Sequence, residues 1–232
     1  MSVHQGHRGR LRARFLKDGL AGFEEHNALE LLLFYARPRQ DTNELAHALI
    51  KRFGSFAAVL DAPVEELMKV KGMGETSAVL LKLIPPMSGY YLESRTEPGA
   101  IMNTTQAAGN FFMPKFFAKQ NEEVHLAALD DKRKVLRSVC ISEEGITNAV
   151  TISVKRVVAE AVRTNATGIV LAHNHPGGLA LPSPSDKKVT AQVFRALRLI
   201  NVQLVDHIIV ADGDYVSLAD SGYIAALQGE EY

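Results

Sequence analysis

The stretch that decides the fold is Gly168-Ile169-Val170-Leu171-Ala172-His173-Asn174-His175-Pro176-Gly177-Gly178, followed by Pro182-Ser183-Pro184-Ser185-Asp186. Its first five residues form an unbroken apolar run, as a strand buried on both faces requires. His173 and His175 stand two residues apart at the end of that run, so both imidazoles project to one face and can reach one ion. Ser183 reads as a helix N-cap, Pro184 as the first helical residue, and Asp186 as an acid at the positive end of the helix. The cap accounts for the serine but not for the histidines. It also fixes the direction of a carboxylate that the intervening turn can return as a third ligand. Three protein ligands leave a position open for water, which is the catalytic rather than the structural pattern for zinc.

Around this stretch, short apolar runs alternate with amphipathic ones. Val124–Leu129 predicts a strand ended by Asp130-Asp131, and residues 135–141 predict its hairpin partner through Lys132-Arg133-Lys134. Val154, Val157, Val158, Ala161 and Val162 recur at helical spacing, and residues 186–199 predict a second helix. Residues 202–210 and 215–217 predict two further strands around the turn Asp212-Gly213-Asp214. The texture is α/β, a sheet with helices layered on it. Upstream, Ala/Leu-rich segments within 29–34, 45–50, 55–60, 63–68 and 77–81 are separated by Gly or Pro and read as a compact all-α unit. The polar stretch at 94–99, with its Pro98-Gly99 pair, marks the break. The expected organisation is a helical domain at 1–95, a linker at 96–102 and an α/β domain at 103–232.

Composition narrows the chemistry. The 232 residues include 26 Lys plus Arg against 26 Asp plus Glu, 47% hydrophobic residues, eight His and one Cys, which excludes the disordered and collagen-like classes. Cys140 alone forms no internal disulfide and builds no Cys-rich zinc or iron–sulfur site, so a metal has to be held by His and carboxylate. Zero net charge argues against coating nucleic acid by bulk electrostatics. The one dense basic cluster, Arg8, Arg10, Arg12, Arg14 and Lys17, reads as a solvated arm in preference to a phosphate-binding one. No signal peptide and no apolar run of about 18 residues is visible, so the expectation is cytoplasmic localisation without a membrane partner. His4, His7, His26, His47 and His125 read as ordinary residues, His207 as a hydrogen-bonded core histidine with a lesser claim to supporting a ligand, and Cys140 as a small core residue.

His173-x-His175-Pro176 followed by Ser183-x-x-Asp186 resembles the JAMM (MPN-plus) zinc metallopeptidase signature, and its context is similar to the JAMM domain of the RadC family. The likeness extends to Glu122-Glu123-Val124, Leu129-Asp130, Glu144-Gly145, Asn165-Ala166, residues 205–210 and Tyr215-Val216-Ser217. In the helical half, Val70-Lys71-Gly72-Met73-Gly74 resembles the family's helix-hairpin-helix region. The resemblance implies an all-α helix-hairpin-helix-like bundle ahead of a JAMM-type, cytidine-deaminase-like layered sheet. It also implies Zn²⁺ on His173, His175 and Asp186, Glu123 as general base, and Ser183 as hydrogen-bond donor to the tetrahedral oxyanion. Two places depart from the pattern. Val154-Lys155-Arg156 stands where RadC chains often carry Pro-Arg-Glu, and Glu75 follows Gly74 where a helix start would meet a phosphate, which favours helix packing over DNA binding there.

Two functions follow from the residues and the resemblance. One is a zinc-dependent hydrolase acting on a peptide or isopeptide bond of a peptide or protein substrate. The alternative is a DNA-repair-associated accessory protein that binds DNA through its helical half and carries a regulatory or vestigial metal centre. A nuclease fits less well, because a single zinc with one carboxylate is a poor match to two-metal nuclease sites.

Overall fold

The computed structural model describes residues 3–38, 40–94, 99–142 and 152–229. Its contacts cluster into two compact units, Met1–Met87 and Ser88–Tyr232. The expected linker at 96–102 falls partly on residues outside those described, and Glu144-Gly145 lies wholly outside them.

The first unit is helical: α1 (Val3–Asp18), α2 (Glu25–Ala36), α3 (Asn43–Phe53), α4 (Phe56–Asp61), α5 (Val64–Met68) and the first part of α6 (Glu75–Ser94). Its core is Leu29, Leu33, Leu45, Leu49, Val59, Leu67 and Leu81. The short segments start where turn chemistry lets them, as where Ser55 accepts a hydrogen bond from the Ala58 amide at the start of α4. The basic segment is a docked helix rather than a loose arm, and Arg10, Arg12, Arg14 and Lys17 on it are exposed, as the solvated reading expects. Leu11 is buried against Leu31 and Phe34, and the Arg8 guanidinium lies 4.5 Å over the Phe34 ring. Arg8 also donates to the carbonyls of Arg37 and Pro38 at the C-terminal end of α2, where the helix leaves acceptors without partners. His7, expected to be ordinary and mobile, bonds the buried Glu30 at 2.9 Å.

The second unit holds α7 (Thr105–Phe112) with a 3₁₀ turn (Met113–Phe116), β1 (Val124–Leu129), β2 (Val135–Cys140), α8 (Val154–Thr164), β3 (Gly168–Asn174), α9 (Pro184–Arg198), β4 (Gln203–Ala211), β5 (Asp214–Ser217) and α10 (Tyr223–Gly229). The strand order is β2-β1-β3-β4-β5. Among the described strands only β3 and β4 run parallel, joined by the α9 crossover. Every residue of β3 is buried, as its apolar run predicts. Val124, Leu126, Ile169, Leu171 and Ile209 face one core, shared with Val157 of α8 and Phe194 and Leu197 of α9. Ala127, Leu129, Val170, Ala172, Ile208 and Val210 face the other, shared with Phe111, Phe112 and Phe116. The sequence reading foresaw the five strands, α8 and α9 but neither α10 nor α7, whose Phe pair supplies the second layer. The positions that point to one side of β3 are therefore fixed by a two-sided core.

Leu171 sits at the centre of this arrangement with no exposure. Leu171→Ala is expected to lower unfolding stability by about 2–5 kcal/mol in urea denaturation. The same change at the exposed Leu199 is expected to stay within about 0.5 kcal/mol.

Candidate metal centre

Strand β3 carries His173 to the edge of the first core, opposite Val124 of β1 and Ile209 of β4. The chain then leaves the sheet but stays tied to it: the His175 amide donates to the Val210 carbonyl at 2.8 Å. Asn174 holds the other side, its side-chain oxygen accepting from the Glu123 amide at 2.7 Å and its amide group donating to the Asn121 carbonyl at 3.1 Å. Gly177 turns in the left-handed region at φ 65°, where a side chain would be strained. That turn brings the Leu179 carbonyl to 3.1 Å from His175 Nδ1.

Asp186 arrives from the first turn of α9 through a capping box. Ser183 Oγ accepts from the Asp186 amide at 3.1 Å, and the Ser183 amide donates back to Asp186 Oδ2 at 2.8 Å. The Ser183 hydroxyl also donates to Oδ2 at 2.6 Å. Its proton is thus engaged in aiming the carboxylate rather than free for an oxyanion. Burial alone would raise the Asp186 pKa, but the facing His173 imidazole and the hydrogen bonds from Ser183 outweigh it and hold the carboxyl well below the usual range. The result is a tight triad: His173 Nε2 lies 3.0 Å from His175 Nε2 and 3.4 Å from Asp186 Oδ1, and His175 Nε2 lies 3.5 Å from Asp186 Oδ2.

The tautomers follow from one fixed proton. Thr190 Oγ1 stands 2.5 Å from the Asp186 carbonyl, which can only accept, so the hydroxyl donates to it. The same oxygen lies 2.7 Å from His207 Nδ1 and therefore accepts from it. His207 is fully buried, and desolvation, with the neighbouring His173, keeps it neutral, so its Nε2 offers a lone pair. That lone pair lies 2.8 Å from His173 Nδ1, which must then be the protonated nitrogen. His173 thus presents a bare Nε2, and so does His175, whose Nδ1 donates to Leu179.

With both imidazoles in the neutral form, two nitrogen lone pairs and a carboxylate converge, a candidate cation-binding set. Ligand atoms about 2.0–2.1 Å from a tetrahedral ion stand roughly 3.3 Å apart, close to the observed spacings. His207 reads from sequence chiefly as a core residue. Thr190 carries no sequence signal, because it meets His207 only through the packing of α9 on β4.

The other expected site residue, Glu123, stands beside this cluster but outside it. It lies level with Asn174, one residue beyond the Val124–His173 pair. Its carboxylate turns to the opposite face, accepting from Lys119 Nζ at 2.8 Å and meeting His125 Nε2 at 3.2 Å. These partners, His125 foremost, hold it below the ordinary carboxyl range despite partial burial. Asp206, beside His207 in sequence, is fully used elsewhere: its oxygens accept from Ser217 Oγ and from the amides of His207 and Ala219. Arg156 of the departing Val154-Lys155-Arg156 segment clamps the carbonyls of Ile141 and Ser142 at 2.9 and 2.8 Å. Next to the His175–Gly177 turn lies a cavity of about 910 Å³, largely apolar, bounded by Met113, Phe116, Phe117, Pro176 and Val210.

A mixed sheet ending in His-x-His and faced by a helix-borne aspartate defines a JAB-type domain. Residues 102–223 match the RadC-like JAB domain family. A UPF0758 protein from Ruegeria pomeroyi is 33% identical over 227 residues, covering 96% of this chain and 99% of its own. The chain belongs to the RadC family.

Thr190→Val keeps the shape and removes the hydroxyl that sets the chain of tautomers. A divalent-metal titration is expected to show affinity falling about 10–100-fold; an affinity equal to that of the unsubstituted protein would contradict the tautomer assignment.

Proposed function

We propose that this RadC protein is a zinc-dependent hydrolase of peptide or isopeptide bonds. The observation that carries the reading is the convergence of His173 Nε2, His175 Nε2 and the Asp186 carboxylate, with both Nδ1 protons already committed. Two imidazoles and one carboxylate without thiolate suit zinc. When bound in a three-ligand site, zinc brings the pKa of a coordinated water to about 7 and polarises a carbonyl. The protein supplies the remaining functions. His207 and Thr190 orient His173, and Ser183 orients Asp186. Glu123, kept ionised by His125 and Lys119, is the carboxylate available to take a proton and return it to a leaving amine once it turns from those partners. The apolar cavity beside His175 offers a dry wall against which a substrate chain can lie.

The DNA-binding alternative has less support from the same contacts. Arg8 of the basic segment is committed to the carbonyls of Arg37 and Pro38, and the exposed Arg14 lies over Phe23 at 4.6 Å and bonds the Gly22 carbonyl, while Glu75 opens α6 at the Gly72-Met73-Gly74 turn. No helix among the described residues is long and apolar enough to cross a membrane.

Metal analysis of the purified protein is expected to find about one zinc per chain, lost in His173→Ala and His175→Ala. Glu123→Gln is expected to retain zinc while peptide or isopeptide hydrolysis falls by about 10²–10⁴-fold. Undiminished hydrolysis by metal-free native protein would overturn the reading.

A further inference from the structure

A second cluster of reactive side chains lies on the opposite face of the sheet. Cys140 ends β2, the edge strand, and pairs across the ladder with His125 of β1. Glu123, two residues before His125, points to the same face, and the ligating atoms of Glu123, His125 and Cys140 all lie within 4.8 Å of one another. The core role expected for Cys140 is corrected: β2 is half solvated, and the thiol is exposed. His125 is not free to move, since its ring stands edge-on to Phe116 with centroids 5.1 Å apart and only 9% of the residue is exposed. Its Nε2 meets Glu123 Oε2 at 3.2 Å and its ring stands beside the Cys140 thiol, which itself donates to Ser142 Oγ at 3.5 Å.

Nucleophile, base and carboxylate thus stand in series, with the nucleophile open to water and the base fixed. Lys119 caps the far oxygen of Glu123 at 2.8 Å; a cation there disfavours a second metal and favours an anionic sulfur. We infer that Cys140, His125 and Glu123 form an activated-thiol site at which peroxides oxidise Cys140 and a low-molecular-weight thiol then caps it. His125 takes the thiol proton, and the sulfur attacks one peroxide oxygen. The S–O bond forms as the O–O bond breaks, and the departing hydroxide takes the proton from His125, leaving a sulfenic acid and water. A small thiol then displaces the sulfenic oxygen as water and closes a mixed disulfide. The cap has to come from another molecule, because the chain has one cysteine. This inference does not rest on the hydrolase reading.

The charged groups around the sulfur are His125 and, behind it, Glu123 and Lys119. His125 is the chief reason the Cys140 pKa is lowered to about 7, against a burial effect that raises it. The test is the pH profile of iodoacetamide alkylation on the intact protein, with Cys140→Ser as blank. The expected midpoint is near 7 in the native protein, rising to roughly 8.5 in His125→Gln. At pH 7 that change cuts the thiolate fraction about 15-fold while nucleophilicity recovers about 5-fold, so hydrogen peroxide should produce a dimedone-trapped sulfenic acid about 3-fold more slowly in the variant. A native midpoint at or above roughly 8.5 overturns the proposal without recourse to any variant. So does a midpoint that His125→Gln leaves unmoved.

Discussion

The site depends on a hydroxyl that has only one place to put its proton. Thr190 sits one helical turn after Asp186 and bonds that residue's carbonyl, so its oxygen is left as an acceptor for His207. Because His207 is buried and neutral, the constraint passes through it to His173 and fixes which nitrogen faces the carboxylate. The relay spans α9, β4 and β3, and each link needs the parallel β3–β4 pairing that sets His207 level with Leu171. A one-residue slip of β4 would turn His207 to the other face and leave His173 without its partner. The two-sided core on this sheet is what prevents that slip, so the hydrophobic packing and the tautomer of the buried His173 belong to one argument.

The sequence was most legible where the signals are local. The apolar run before His173, the N-cap at Ser183 and the proline after it lie within a few residues of one another, and each appears where its pattern places it. Thr190 and the support role of His207 were not legible in the same way, because their partners are distant in the chain and meet only through register and helix docking. The α7 layer escaped notice because its eight residues include Gly109 and Asn110 and show no long apolar period. The basic helix escaped because Leu11 is the one buried apolar residue among its described side chains and its anchor is a guanidinium on carbonyls, an interaction that charge counting reads as solvation. Cys140 was misplaced for the opposite reason: an apolar stretch suggests burial, whereas an edge strand leaves one side of it in water.

Glu123 connects the two proposed sites of this unit. Its backbone is tied by Asn174 to the turn that carries His175, while its carboxylate serves His125 on the other face. On the proposed reading, a base with these partners is held ionised but must leave them to act, and the same departure would release His125 from its orienting bond. The neutral overall charge likewise conceals local pairing, as Lys119 and Glu123 illustrate.

The central claim is that the converging triad, and not the thiol cluster, is the metal centre. X-ray absorption at the zinc edge, on protein loaded with one equivalent of zinc, tests it directly. The account predicts a shell of nitrogen and oxygen at about 2.0–2.1 Å with imidazole outer scattering and no sulfur. A sulfur neighbour at about 2.3 Å, or a shell without imidazole, would contradict it.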